Sequence, residues 1–253
     1  MSGTFDGRAA VVTGAAGGIG LAVSEALMAE GARVLGLDLA EGVATASADP
    51  RWTGVRTDVT DAGAVHDAVE AFRASVGRVD LLVSNAGIFT AGQHIVDLEV
   101  ETFRRSLEVN LTSHLVVLKE VLAAMGDGPG SIVIIGSRNV AAPGPGAAAY
   151  SAAKAGLTQL GRVAALELAP RGIRVNIVHP DAVFNTGLWT DEALASSAKR
   201  YGMSVEQYKR NTLLGVDVRL SDVSDAVLAL LSDRFARTTG AQVPVDGGNI
   251  RVI

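Results

Sequence analysis

The sequence predicts one doubly wound α/β domain, a parallel sheet of about seven strands with helices on both faces. Three observations lead there. Short apolar, β-branched runs alternate with stretches of helical period from one end of the chain to the other. Of the 253 residues 48% are hydrophobic, ample for a sizeable core. No repeat, low-complexity tract or linker interrupts the pattern. Strict alternation of strand and helix implies right-handed crossovers, and therefore parallel strands covered on both sides.

The strands are expected at 8–13 (RAAVVT), 32–38 (ARVLGLD), 54–58 (GVRTD), 79–85 (VDLLVSN), 131–137 (SIVIIGS), 173–179 (IRVNIVH) and 241–246 (AQVPVD). Helical period marks GIGLAVSEALMAEGA, DAGAVHDAVEAFRASVG and ETFRRSLEVNLTSHLVVLKEVLAAMG between them. The alternation lapses from Pro180 to about Val218, where DAVFNTGLWTDEALASSAKRYGMSVEQYKRN predicts an insertion of helices. In such sheets ligands bind beyond the carboxyl ends of the strands, and this insertion leaves from one of those ends. Its span of about 184–215 is the candidate substrate lid.

Composition removes several function classes. With no cysteine there is neither a disulfide framework nor a thiolate nucleophile. A net charge of −5 without any basic cluster argues against nucleic acid as the main partner. His66, His94, His114 and His179 lack the spacing of metal ligands, so no metal site is expected. The start MSGTFDGRAAVVTG lacks a basic segment followed by a long apolar one, and no run approaches the ~18 apolar residues of a membrane span. A cytoplasmic protein is the expectation.

The first strand runs straight into TGAAGGIG, Thr13 to Gly20. Gly14, Gly18 and Gly20, with Ile19 among them, let the backbone turn tightly and let a pyrophosphate approach the amino end of the next helix, where free N–H groups favour negative charge. The bland alternative is a helix–sheet contact that needs small residues. Asp38 closes the second strand 18 residues beyond Gly20, where an acid can accept hydrogen bonds from the adenosine ribose and repel a 2′-phosphate. The plainer alternative is a strand-end or turn aspartate. Neither the glycine turn nor Leu39 supplies the cation a phosphorylated ribose would want, so this Rossmann-type site predicts NAD rather than NADP. Asp58 and Val59 at the end of the third strand, and Asn85, Ala86 and Gly87 after the fourth, fit the same cleft, although either group could be a plain turn.

In GPGAAAYSAAKAG, Tyr150 and Lys154 stand four residues apart, on one face of a helix. Such a pair is ordinarily a solvated face. With three Tyr and four Lys in the chain, the spacing is expected by chance only roughly 0.05 times, which matters once the other motifs precede it. Asn110 sits in an apolar helix, where its amide is unfavourable and a buried, satisfied core role is the simple reading.

Thr13 to Gly20, Asp58, Asn85 to Gly87, Asn110, Ser137, Tyr150 and Lys154, in this order and across essentially the whole chain, resemble the short-chain dehydrogenase/reductase family. The resemblance implies that Ser137 and Tyr150 hold the substrate oxygen, Tyr150 as general acid/base. A tyrosine is a poor base at its ordinary pKa of about 10, but a neighbouring ammonium and a positive nicotinamide ring favour its anion. Lys154 would supply that ammonium and bind the nicotinamide ribose, and Asn110 would hold a water of the proton relay. Without the resemblance Ser137 is an ordinary strand-end turn former. The family implies a homotetramer, and the Ala-rich helix from 150 to 168 suits burial against a neighbour.

One departure stands out. The family often has Pro-Gly after the sixth strand, whereas HPDAVFNTGLW keeps Pro180 and Val183 but places Asp181 where the glycine would be, leaving open whether Asn185 or Thr186 contacts the nicotinamide carboxamide. PDAVF…GLW and TTGAQVPVDGG are similar to the dehydrogenase half of bifunctional aldolase/short-chain dehydrogenases of deoxy-sugar breakdown, which oxidise lactaldehyde. That implies carbohydrate metabolism and a small polar substrate, met by His94, Arg138, Asn139, Asp181, Asn185 and Trp189, with Arg138 able to clamp an anion. Several of these side chains could instead cap turns. An NAD-dependent dehydrogenase of a secondary alcohol, hydroxyaldehyde or sugar-like hydroxyl is expected, with carbonyl reduction, a catalytically silent NAD(H) sensor and a structural oligomer as the alternatives.

Overall fold

A computed structural model describes residues 3–250 other than 90, 91, 185, 187 and 188. Seven strands, β1 (Ala9–Thr13), β2 (Arg33–Asp38), β3 (Trp52–Arg56), β4 (Leu81–Ser84), β5 (Gly130–Ile135), β6 (Ile173–Pro180) and β7 (Gln242–Val245), form one sheet in the order β3-β2-β1-β4-β5-β6-β7. All neighbouring strands are parallel. The helices are α1 (Gly18–Ala29), α2 (Ala62–Val76), α3 (Val100–Leu107), α4 (Ser113–Met125), α5 (Ala148–Leu168), α6 (Asp191–Arg200), α7 (Val205–Lys209) and α8 (Leu220–Leu231).

Successive strand residues point to opposite faces, and both faces are covered. Val11, Leu35, Leu37, Ile132, Ile134 and Ile177 meet Val65, Val69 and Phe72 of α2, Val117 and Val121 of α4, and Leu157 of α5. Ala10, Val12, Val34, Val133 and Val178 meet Val23, Leu27 and Met28 of α1 and Val223, Val227 and Leu230 of α8. Burial on both sides is why β1 and β5 read as unbroken small and apolar runs rather than as alternating ones. Each large aliphatic side chain so buried contributes about 1.5–3 kcal/mol. Local signals agree with the packing: Asp61 caps α2, its carboxylate accepting from the N–H groups of Gly63 and Ala64.

The chain departs from the expected boundaries in two instructive places. β3 ends at Arg56 rather than at 58, and the Asp58 carboxylate turns back to accept from the backbone and hydroxyl of Thr60 at 2.9 and 2.7 Å. The long helical run after 100 is helical throughout but holds a π turn, Glu108–Thr112, between α3 and α4. Such a turn costs regular hydrogen bonding and recurs at functional sites.

Two features place the cleft. The sheet order reverses beside β1, which lies between β2 and β4, so a crevice opens at their carboxyl ends. α5 lies close against the sheet because its inner positions are small; a Cβ at Gly161 would come within 3.0 Å of Ile134 and Ile177. That closeness brings the Lys154 ammonium 2.9 Å from the carbonyl oxygen of Ile135, at the end of β5. The insertion leaves β6 and returns where Val183 pairs with Val218 in an isolated parallel bridge, with α6 and α7 in between.

Candidate active site

A cleft of about 500 Å³ runs across the carboxyl ends of the strands. On one side it is bounded by Ile19, Asn85 and Gly87, on its floor by Asn110, Ser137, Tyr150 and Lys154, and on the other side by Pro180, Val183, Thr186 and the insertion. Nine of the residues singled out for catalysis or cofactor from the sequence therefore share one cavity.

The cofactor side is made of backbone. Gly14 and Gly18 have φ of +65° and +54°, a region costly for any residue with a Cβ. Gly20 answers to space instead: a Cβ there would lie 2.1 Å from the Gly14 carbonyl oxygen. The turn is held from β4, since the Asn85 amide donates to the carbonyls of Thr13 and Gly14 at 2.8 and 3.2 Å, while the Thr13 hydroxyl accepts from the N–H groups of Asn85 and Ala86, both at 2.9 Å. Asp38 braces the turn as well, accepting from the N–H groups of Ala16 and Ala40, both at 2.9 Å. No side chain caps α1 at Gly17, and its first turn holds no acid. Those N–H groups suit a pyrophosphate.

Several expected contributors sit behind this surface. Val59 is buried, Ala86 packs against the core, and the Asp58 carboxylate, turned onto Thr60, is held below its ordinary pKa chiefly by the Thr60 backbone hydrogen bond. Leu39 is 55% exposed. A cation missed from the sequence lies next to it: Arg56, in register with Asp38 on β3, donates from Nε to the Leu39 carbonyl and approaches Glu41 to 3.6 Å.

At the floor, Lys154 is 3% exposed, and burial lowers its pKa to about 8. Its ammonium lies 5.9 Å from the centre of the Tyr150 ring, which meets Phe89 edge-on at 5.0 Å. The Tyr150 phenol departs from expectation: burial raises its pKa, and a hydrogen bond from Ser137 opposes that only in part. The Ser137 oxygen also accepts the N–H of Asn139 at 3.1 Å. Asn110, fully buried in the π turn, grips Ile88 at both ends, its oxygen accepting from Ile88 N–H and its amide donating to the Ile88 carbonyl, each at 3.0 Å, with Ser106 as a second acceptor. Both protons of the side-chain amide are thus spent within the protein and its oxygen has one donor, as in a core amide.

The substrate side differs more from the sequence reading. Arg138, Asn139, Asp181 and Trp189 line the cleft, but His94 is exposed at the head of the short 95–97 turn and lies outside it. The loop after β4 lends Phe89 and Gly92 to the cleft lining, and His94 stands beyond it. Asn185 falls outside the described residues. Arg138 is not a free anion clamp: its Nε lies 2.8 Å from Asp181 Oδ1, with the side chains only 20% and 7% exposed. The approach is off the hydrogen-bonding direction, so the contact is an ion pair, and the other carboxylate oxygen accepts from Asn249. The residue standing where the family has glycine therefore neutralises the arginine beside Ser137.

Beyond Trp189, further aromatic walls were missed. Tyr201 and Tyr208 stack at 5.8 Å, and Phe184 contacts Trp189 and Tyr208 at 5.2 and 6.0 Å. Arg200 joins the lining, tied from its guanidinium to the Pro145 carbonyl at 3.0 Å. A sequence with only 4% aromatic residues that gathers four of them in one insertion carried this signal. Among the described residues no cluster of His, Asp or Glu could hold a metal ion, and no helix is long and apolar enough to cross a membrane.

Comparison with known proteins places this architecture. The family model described as Enoyl-(Acyl carrier protein) reductase matches residues 14–249. Cis-4-hydroxycyclohexanecarboxylate dehydrogenase of Sinomonas cyclohexanicum is 37% identical over 257 residues, covering 98% of each protein. YuxG of Bacillus subtilis, an uncharacterized oxidoreductase, is 33% identical over 259 residues; the match takes in 96% of this chain and 37% of YuxG. The solved 3-ketoacyl-(acyl-carrier-protein) reductase from Brucella melitensis, complexed with NADH, superposes with a TM-score of 0.86 at 26% identity over 97% of this chain and 99% of the other. The chain belongs to the short-chain dehydrogenase/reductase family. It is an oxidoreductase acting on hydroxyl or keto substrates, with the fold of nucleotide-cofactor enzymes.

Proposed function

We propose that the protein is an NAD-dependent dehydrogenase that oxidises a secondary alcohol, hydroxyaldehyde or sugar-like hydroxyl. The observation that carries this reading is the cleft that Ser137, Tyr150 and Lys154 share with Ile19 of the glycine turn and with Asn85 and Gly87 after β4. The turn suits a dinucleotide: Gly17 has open space above it, and the uncapped start of α1 faces that side. When bound, the nicotinamide nucleotide supplies the hydride acceptor.

The side chains manage the proton. The Ser137 oxygen accepts the Asn139 N–H, and its single proton, turned to Tyr150 in the free protein, would swing to the substrate oxygen when that oxygen comes between them. Tyr150 takes the alcohol proton as the hydride departs. Lys154 spends one N–H on Ile135, which leaves two for the nicotinamide ribose and for stabilising the phenolate. Asn110 fixes the loop after β4 through Ile88. The π turn around it loosens the helical hydrogen bonding, and a backbone carbonyl there would hold the relay water.

The raised Tyr150 pKa favours a second direction, carbonyl reduction, in which the protonated phenol acts as general acid. NAD is preferred to NADP because Asp38 would repel a 2′-phosphate, while Arg56 is occupied by Leu39 and Glu41. The insertion at 184–215 acts as the substrate lid. Its tyrosines and Trp189 give flat walls for a ring or sugar face, and Arg200 and Asn139 give polar contacts. The relative from Sinomonas, named for a carboxylated hydroxycyclohexane, supports a ring bearing polar groups. YuxG, of whose length this chain spans 37%, fits the resemblance to a dehydrogenase half within longer bifunctional proteins of carbohydrate metabolism. Leu166 and Val163, 78% and 39% exposed on α5, suit a neighbouring subunit in a cytoplasmic homotetramer.

The test is initial rates with NAD and NADP across sugars, polyols, hydroxyaldehydes, hydroxy acids and apolar secondary alcohols. NADH formation with a polar hydroxylated member is expected. A clear preference for apolar alcohols, or for NADP, would overturn the corresponding part of the reading.

A further inference from the structure

His179 is the seventh residue of β6, 6% exposed, and no step of the reaction above uses it. Its ring lies over Gly136, where a Cβ would come within 2.5 Å of Nδ1. It spans three neighbouring strands. Nδ1 is 3.1 Å from the Ser137 N–H nitrogen, just past the end of β5, and Nε2 is 3.3 Å from the Gln242 side-chain oxygen on β7. Nδ1 also lies 3.0 Å from the Ser137 carbonyl oxygen, a contact only the opposite tautomer would use.

Burial lowers the pKa of the ring and keeps it neutral, with a single N–H. Among the described residues the Ser137 N–H has no acceptor other than Nδ1, whereas the Ser137 carbonyl already accepts the N–H of Val140, so the Nδ1 lone pair accepts from Ser137 and the N–H sits on Nε2, toward Gln242. Without the ring the Ser137 N–H would be a buried donor with no partner, in a peptide that starts the turn through Asn139.

We propose that His179 is a positioning residue for Ser137: by accepting the Ser137 N–H it fixes the extended backbone from which the hydroxyl meets Tyr150 and the substrate oxygen. The inference rests on the functional reading above, in which Ser137 touches the substrate.

The test is a double-mutant cycle on the full chain, with kcat and NADH binding measured for Ser137→Ala, His179→Leu, His179→Asn and the pair Ser137→Ala/His179→Leu. His179→Leu keeps the ring's bulk over Gly136 but removes the acceptor, and is expected to lower kcat about tenfold with unchanged NADH affinity, the size of one lost hydrogen bond. His179→Asn can place an amide oxygen near the Nδ1 position and should recover most of the rate. In the Ser137→Ala background the leucine should cost less than twofold. An equal loss in both backgrounds, or an asparagine variant that folds and binds NADH yet is as slow as the leucine variant, would overturn the proposal. A Ser137→Ala enzyme with normal kcat would instead remove the functional reading itself, and the role of His179 with it.

Discussion

The two sides of the cleft are built from different materials. On the cofactor side, the Asn85 amide and the Thr13 hydroxyl tie the glycine turn to the end of β4, and the turn itself, at Gly14, Gly18 and Gly20, is backbone without side chains. On the substrate side the surface is side chain: Trp189, Tyr201, Tyr208, and an arginine already paired with an aspartate. A backbone-made site leaves its mark at fixed positions, because only glycine fits where a Cβ would collide. A side-chain site depends on which residues the insertion folds together, and a sequence does not state that.

The contrast can be broken at either end, and the largest effect is expected at the glycine turn. Gly20→Ala puts a methyl 2.1 Å from the Gly14 carbonyl oxygen. Overpacking of this kind costs about 1–3 kcal/mol, so NADH affinity measured by fluorescence should fall up to ~100-fold. Near-normal binding would mean that the turn is not the pyrophosphate site.

On the substrate side, Arg138→Ala leaves the buried Asp181 carboxylate without its ion-pair partner, and thermal unfolding should show a loss of about 2 kcal/mol. The double variant Arg138→Ala/Asp181→Asn should regain most of it. If the single variant is as stable as the parent, Arg138 is free to bind substrate as the sequence reading expected, and the two sides differ less than argued here.

Lys154 lies between the two sides and supplies a pH test. Its pKa in the free protein is lowered to about 8, so it is an ammonium below that value and loses its proton above it. If the ammonium holds the nicotinamide ribose, NADH affinity should be level below pH 8 and weaken by up to about tenfold per unit above it. A flat profile to pH 9.5 would assign the binding elsewhere. The smallest effect is expected at the adenosine end: Asp38→Ala should shift the ratio of kcat/KM for NAD over NADP by several-fold toward NADP, because the carboxylate that would repel a 2′-phosphate is gone. No shift would show that Asp38 only braces the turn through Ala16 and Ala40.

The same contrast explains what the sequence disclosed. Strand positions, the glycine turn and the Tyr150–Lys154 spacing were legible because period, φ and i,i+4 geometry are local. Five things were not, four of them set by how the fold brings distant residues together. His94 stands beyond the part of the loop after β4 that lines the cleft. Asp181 turned inward onto Arg138 through a contact between residues 43 positions apart. His179 reaches Ser137 across two strands, and Arg56 stands beside Asp38 only through the β2–β3 register. Each depends on pairing that the fold makes and no short motif announces. The π turn at Asn110 was hidden for another reason, since its five residues keep the apolar period of an ordinary helix.

The most direct test of the account is Tyr150→Phe, with NADH binding and turnover measured on the same preparation. The account predicts an intact fold, NADH affinity within a few-fold of the parent, and kcat reduced by ~10² to 10⁴, the usual worth of a general acid/base. A phenylalanine enzyme that turns over at near the parent rate would contradict it.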